Sequence, residues 1–143
     1  MSKKIEINYI KIIETFTLLL EENSYEDISI QEITNKTGMT RVNFYNYFSD
    51  KEDLIWKTFR YHFLSVEQRV NKLDPVTLLS DGKPLTFYFF ELIKNKRKFF
   101  YSIFVKGMPY ALEIKILEYI QKESYRTHEV LRARYRDRNI PYI

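Results

Sequence analysis

A short run of polar and aromatic side chains, residues 41–51, has the chemistry needed to contact a nucleic-acid duplex. Arg41 can read guanine or hold a phosphate, and the planar amide of Asn43 can form two hydrogen bonds with adenine in the major groove. Tyrosine hydroxyls and the Lys51 ammonium suit phosphate oxygens. The candidate contact residues are Arg41, Val42, Asn43, Tyr45, Asn46, Tyr47 and Lys51.

Helical geometry would sort this run into two faces. At 100° per residue, a helix from Thr40 to about Phe48 places Phe44 and Phe48 on one side, where they are predicted to pack inward. The opposite side then carries four of the candidate contacts, with Arg41 and Tyr47 on its flanks: Val42, Asn43, Tyr45 and Asn46. The alternative is a helical hairpin whose polar face is merely solvated. It would leave Tyr45 and Tyr47 as costly exposed aromatics, so DNA contact is the preferred interpretation.

The preceding residues predict the elements that would position this face. Ser29 can cap one helix, and Glu32 three residues later can complete a capping box. Gly38 is expected to end that helix, because glycine adopts a left-handed backbone at little cost. Thr40 is placed to cap the contact helix. Two helices joined by a short turn that contains glycine have the form of a DNA-reading helix-turn-helix.

From about residue 9 to residue 60, the segment resembles the DNA-binding domain of the TetR family of bacterial transcription regulators. The resemblance rests on Ser24-Tyr25, Ile33-Thr34, Gly38 and the run FYNYFSDKEDL at residues 44–54. It implies that Thr40 also contacts DNA, together with Arg41, Asn43, Tyr45, Tyr47 and Lys51. Three positions depart from the family pattern: Tyr47 replaces the usual histidine, Val42 a small residue and Thr34 an alanine. The first two bear on the target sequence rather than on binding itself.

Two further helices are predicted around this unit. Apolar residues at helical spacing indicate a buttressing helix from about Tyr9 to Asn23, preceded by a loose basic arm over residues 1–8. A long helix should begin near Lys51, capped by Ser49 or Asp50, and continue almost to Asp74. It would connect the two halves of the chain, and its Trp56 and Tyr61 are expected to touch the second half.

The second half also reads as helical. The segment 74–84 contains two prolines and a glycine, so it is the best candidate for the boundary between the two domains. Helices are expected over 85–95, over 96–106 with a stop at Gly107, and from Pro109 to about Arg138. The aromatic runs at 87–90 and 99–104 could in isolation be buried strands. Four aromatic residues are candidates to line a small-molecule pocket, although ordinary core is the more common role of such a cluster: Phe87, Phe90, Phe100 and Phe104.

Composition restricts the remaining classes of protein. The formal charge is +4, but residues 1–72 hold 10 basic and 11 acidic side chains, and residues 73–143 hold 13 and 8. Any DNA contact must therefore depend on the local placement of basic side chains such as Arg41 and Lys51. The chain has no cysteine, so thiolate metal sites are excluded. No apolar run is long enough for a membrane span or a signal peptide, which predicts a cytoplasmic protein.

Other chemistries find little support. His62 and His128 have no partner at metal-ligand spacing, so a surface or capping role is expected and no metal or cofactor is predicted. Gly82-Lys83 lacks the other residues of a phosphate loop. No Gly-x-Ser-x-Gly motif is present, and an enzyme is not expected. A basic end of the chain is formed by five arginines: Arg126, Arg132, Arg134, Arg136 and Arg138. It is either a solvated helix face, a surface for an acidic partner or a non-specific nucleic-acid contact.

The sequence thus predicts an all-α protein with two domains. Residues 1–50 would form the helix-turn-helix domain, Lys51–Leu73 the connecting helix, and residues 74–143 a regulatory and dimerisation domain. The family resemblance implies a homodimer on a near-palindromic operator, acting as a repressor that a small ligand or partner releases. The alternative is an adaptor with the same fold that has lost DNA binding. Because the family usually continues into further dimer helices, the chain is expected to be truncated.

Overall fold

Helices account for all the regular structure in the described part of the chain, residues 2–72 and 85–134 of this computed structural model. No strand occurs there, so the all-α prediction is confirmed and the alternative of buried strands at the two aromatic runs is wrong. The helices are α1 (Lys3–Glu22), α2 (Ile30–Thr37), α3 (Arg41–Tyr45), α4 (Lys51–Lys72), α5 (Leu85–Asn95), α6 (Arg97–Phe104) and α7 (Tyr110–Arg134), with a 3-10 turn at Tyr25–Asp27.

The first helix is longer than the sequence suggested. It begins at Lys3, so the prediction of a loose arm over residues 1–8 is wrong for residues 3–8. Tyr9 stacks on Phe48 with ring centroids 5.2 Å apart and fixes this end of the packed segment. Once one part of a helix is fixed, each added residue gains a backbone hydrogen bond, so the helix extends backwards through exposed residues. Asn23 ends α1 as predicted, and its backbone N–H bonds to the carbonyl of Leu19.

A core of aliphatic and aromatic side chains holds α1 to α4 together. Apolar residues recur at helical spacing along α1 and are buried where this helix packs against α2 and α4. Tyr25 and Ile28 fill the corner before α2, as the sequence predicted. The buried side chains in this part include Ile12, Ile13, Phe16, Leu19, Leu20, Ile33, Phe44, Phe48, Leu54 and Ile55.

Helix α4 joins this core to the second half. The structure describes it from Lys51 to Lys72, and the predicted limit near Asp74 lies outside the described residues. The Trp56 ring meets Tyr119 of α7 edge-on, with centroids 5.4 Å apart, which confirms the predicted contact with the second half. Phe59 lies fully buried between Trp56, Phe63 and the rings of Phe100 and Tyr119. Helix α6 packs against α1, and Phe99 and Phe100 are buried there.

The turn between α6 and α7 is shaped by Gly107 and Pro109. Gly107 has a φ of 103°, a conformation that other residues rarely adopt. The carbonyl of Pro109 accepts the N–H groups of Leu112 and Glu113, so the proline directly precedes the helix it was expected to begin. The predicted boundary at 74–84 and the end of the chain after Arg134 lie outside the described residues. None of the described helices is long and apolar enough to cross a membrane.

Candidate nucleic-acid interface

The turn between α2 and α3 has the geometry that the sequence predicted. The Ser29 hydroxyl accepts the backbone N–H of Glu32 at 3.1 Å and so caps α2. Gly38 ends the helix in the left-handed conformation, with φ 69° and ψ 23°. The Met39 N–H then bonds back to the carbonyl of Thr34, whose own hydroxyl donates to the Gln31 carbonyl. The buried Thr34 hydroxyl is therefore satisfied where the family has an alanine.

Helix α3 is short, and its Thr40 cap and buried Phe44 fix its position. The Thr40 hydroxyl accepts the N–H of Asn43 at 3.1 Å and caps the helix as predicted. Phe44 and Phe48 are buried with ring centroids 5.5 Å apart, so their inward packing is confirmed. The α-helix ends at Tyr45, earlier than the predicted end near Phe48. The chain tightens there, because the N–H of Tyr47 bonds to the carbonyl of Phe44, three residues back.

The opposite face of α3 points to solvent. Val42 is 73% exposed and Tyr45 47% exposed, which are large values for apolar and aromatic side chains. Arg41, Asn43 and Asn46 are exposed beside them, as is Thr40 at the start of the helix. The Thr40 hydroxyl uses an acceptor site for the cap and keeps its proton for another acceptor. The structure therefore brings six of the eight candidate contacts onto one exposed surface.

The other two candidates have internal partners. Tyr47 is half-buried, and its hydroxyl accepts a hydrogen bond from the Asn8 side chain at 3.3 Å. The Lys51 ammonium donates to the carbonyls of Tyr25 at 2.8 Å and Ile28 at 2.9 Å. It also lies 4.2 Å from the centre of the Tyr25 ring. Two of the three ammonium protons are thus donated to the carbonyls of Tyr25 and Ile28, and the third can be donated to a phosphate.

The start of α4 is tied to the end of α3. Asp50, rather than Ser49, supplies the cap, because its Oδ1 accepts the N–H of Asp53 at 2.7 Å. The Asp53 carboxylate in turn accepts the N–H of Ser49 at 3.0 Å. Burial alone would raise the pKa of Asp53, but hydrogen bonds from Lys57 and Ser49 outweigh it and hold that pKa below its ordinary value of 3.8.

Lys57 is a residue that sequence reasoning missed. Its ammonium donates to the Tyr47 carbonyl at 3.0 Å and to Asp53 Oδ2 at 2.8 Å. The four-residue spacing of Asp53 and Lys57 on a helix was the available signal, since such pairs face each other. The spacing gave no sign of the Tyr47 carbonyl, which the path of the chain between α3 and α4 brings near Lys57.

Three of the four candidate pocket residues have exposed side chains. Phe87, Phe90 and Phe104 are exposed, whereas Phe100 is buried. The Phe100 and Phe104 rings stack with centroids 6.2 Å apart. A groove of about 550 Å³ lies elsewhere, between α1, α4 and α5, and none of the four lines it. Its lining includes Glu14, Thr17, Glu21, Tyr61, His62, Ser65, Gln68 and Lys96.

The histidine in that groove is an internal residue. His62 is buried, so the prediction of a surface or capping role is wrong for it, and Thr17 lies within hydrogen-bonding distance. Burial, and secondarily the charge of Lys96, lowers the pKa of His62 from 6.5 to about 4. The His128 side chain lies outside the described residues. Within the described chain, no three acidic or histidine side chains are grouped to bind a metal ion.

Comparison with known proteins agrees with this geometry. Residues 12–56 match the family model described as "Bacterial regulatory proteins, tetR family", and that range extends from α1 into the first turns of α4. Searches of curated proteins and of solved structures returned no match for the chain.

Proposed function

Residues 12–56 carry the N-terminal helix-turn-helix domain of the TetR family of DNA-binding transcription regulators, and from this premise we propose that the chain reads a specific operator through α3. In the proposed mode, α3 lies in the major groove. The amide of Asn43 and the methyl groups of Val42 meet base edges, and Arg41 contacts guanine or phosphate. Thr40, Tyr45, Asn46, Tyr47 and Lys51 hold the sugar-phosphate backbone.

The exposed face of α3 is the observation that supports this proposal best. A five-residue helix presents Val42, Asn43 and Tyr45 to solvent while Phe44, between them in sequence, is fully buried. An apolar and an aromatic side chain exposed together on one face of so short a helix form a patch that a partner can cover. The turn before α3 is fixed by the left-handed Gly38 and the Thr40 cap, so the face is held in one orientation.

We infer that the protein acts as a dimer. Two copies of α3 related by a two-fold axis would enter successive major grooves about 34 Å apart, which requires a near-palindromic operator. Regulation would pass through α4, because that helix packs against α1 at one side and against α5 and α7 at the other. A small ligand or protein partner bound to residues 85–134 would move α4, and release of a repressed gene is the proposed outcome.

One observation favours an adaptor as a second candidate. Residues 1–72 carry 11 acidic against 10 basic side chains, so the domain has no general attraction for phosphates. An adaptor would use the exposed face of α3 for a protein partner, and replacing Tyr45 would then leave DNA affinity unaffected.

Selection of bound duplexes from a random DNA pool, followed by titration of the winner at two salt concentrations, tests the proposal. We expect a palindromic winner that is bound more weakly at the higher salt, because phosphate contacts release counterions. Enrichment of no sequence by the dimeric protein would favour the adaptor. Light scattering of the same sample establishes the oligomeric state and keeps loss of dimerisation distinct from loss of DNA binding.

A further inference from the structure

The connection between α3 and α4 is held at two backbone groups by one ion pair. Lys57 donates to the carbonyl of Tyr47 at 3.0 Å, and Asp53 accepts the N–H of Ser49 at 3.0 Å. The two side chains are joined to each other at 2.8 Å. The pair of Asp53 and Lys57 therefore fixes the backbone on both sides of Phe48, in the connection that follows α3.

This pair is partly shielded from water. The Lys57 side chain is 35% exposed and the Asp53 side chain 22% exposed. The ammonium also lies 5.3 Å from the centre of the Phe48 ring, a favourable position for a cation. Hydrogen bonds of charged groups in such surroundings are stronger than those of a fully exposed surface pair. The contact can therefore resist displacement of α3 relative to α4.

Helix α3 needs anchors of this kind. It spans five residues, far fewer than the length at which a helix is stable alone, so its orientation depends on what holds its two ends. Thr40 holds the N-terminal end and Phe44 the buried side. At the C-terminal end, Lys57 supplies a direct hydrogen bond from α4.

We propose that Lys57, paired with Asp53, is a positioning residue for DNA recognition: it orients α3 on α4 without contacting DNA. The inference rests on the proposed function. The preceding residue, Trp56, contacts Tyr119 of α7. One turn of α4 thus touches the second half of the protein through Trp56 and, through Lys57, the carbonyl of Tyr47 two residues after the end of α3. A displacement of α4 would therefore carry α3 with it.

The test compares Lys57→Met, which keeps the aliphatic stem, with Lys98→Met, which removes the same charge from an exposed site on α6. Affinity is measured for the selected duplex and for a random duplex over a series of salt concentrations. We expect Lys57→Met to weaken the selected duplex about tenfold and the random duplex less than twofold, since base contacts require a defined orientation. The dependence of log K on log salt should remain unchanged, and Lys98→Met should behave like the unchanged protein.

Asp53→Asn provides a second variant, because its amide oxygen can still accept the Ser49 N–H while the pair with Lys57 is weakened. It should show the same selective loss, with circular dichroism confirming that both variants are folded. A salt slope reduced by about one would show that Lys57 contacts a phosphate and overturn the inference. Equal loss on both duplexes, or no loss, would also overturn it. If the unchanged protein selects no duplex, the proposed function itself fails.

Discussion

The hydroxyl oxygen of Thr17 lies 2.9 Å from Nε2 of His62, and this contact joins α1 to α4 inside the core. The same hydroxyl donates its only proton to the carbonyl of Ile13 at 2.8 Å. Because that proton is already donated, we assign the proton of neutral His62 to Nε2, from which it is donated to the Thr17 oxygen. One buried polar pair therefore holds α1 against α4.

Thr17→Val should destabilise the protein. Valine has nearly the shape of threonine but cannot accept the proton of His62, so a buried donor loses its partner. We expect the free energy of unfolding to fall by about 1–3 kcal/mol. Chemical denaturation monitored by circular dichroism measures this loss.

Thr58→Val is the matched control for that substitution. Thr58 is fully buried on α4, and its hydroxyl has no hydrogen-bond partner among the described residues. Removing an unsatisfied polar group is neutral or stabilising, so this variant should unfold at the same or a higher denaturant concentration. Equal losses at Thr17 and Thr58 would contradict the role assigned to the Thr17–His62 contact.

Stability should depend on pH through His62. Its pKa is about 4 in the folded protein because of burial and the Lys96 charge, against 6.5 for the exposed side chain. The unfolded chain therefore binds a proton first as the pH falls. The stabilisation is fully present above pH 6.5, declines as the pH falls towards 4, and amounts to roughly 3 kcal/mol at most.

His62→Gln removes this titration. The difference in unfolding free energy between the unchanged protein and the variant should narrow between pH 6.5 and pH 4, as measured by urea denaturation at each pH. Taking the difference cancels the carboxylates that titrate in the same range. A constant difference across that range would show that His62 does not titrate as described.

Gly38→Ala should lower stability through backbone strain alone. Gly38 has a φ of 69°, and a Cβ atom added there would meet no atom within 4 Å. The loss should be about 1–2 kcal/mol, which is the cost of the left-handed conformation for a residue with a side chain. Gly38→Asn should lose less, since asparagine tolerates that conformation better. Thermal unfolding of the two variants provides the comparison, and a larger loss for asparagine would argue against strain as the cause.

Replacement of Asn43 and of Tyr45 should have different effects on DNA binding. Asn43→Ala is expected to change the preference at one base pair by about 1–3 kcal/mol. Tyr45→Ala should weaken every duplex by about 1 kcal/mol, because a phosphate contact carries no sequence information. Competition binding with single-base variants of the selected duplex separates the two effects. Asn95→Ala, an exposed asparagine on α5, is the control. Equal loss on all sequences from Asn43→Ala would contradict its base contact.

The sequence was informative where a local rule governs the structure. Ser29 and Thr40 cap their helices, Gly38 adopts the left-handed conformation, and Phe44 and Phe48 are buried, all as predicted. Capping needs only a hydroxyl three residues before a free N–H, and burial of a helix face follows from its period. The family assignment came from the same local segment. The start of α1 was misjudged because residues 3–8 have no packing signal, although they extend a helix that later residues fix.

The amino-acid pattern was therefore sufficient to predict that the protein is helical, that a helix-turn-helix spans α2 and α3, and which side of α3 is buried. The partners of the charged and polar side chains depend instead on how the helices pack. Lys51 reaches carbonyls 23 and 26 residues earlier, and His62 meets a threonine 45 residues away. A hydrogen bond between distant residues depends on how helices pack and on the direction of each side chain. Helical period and capping rules describe neighbours along one helix and contain no information about either.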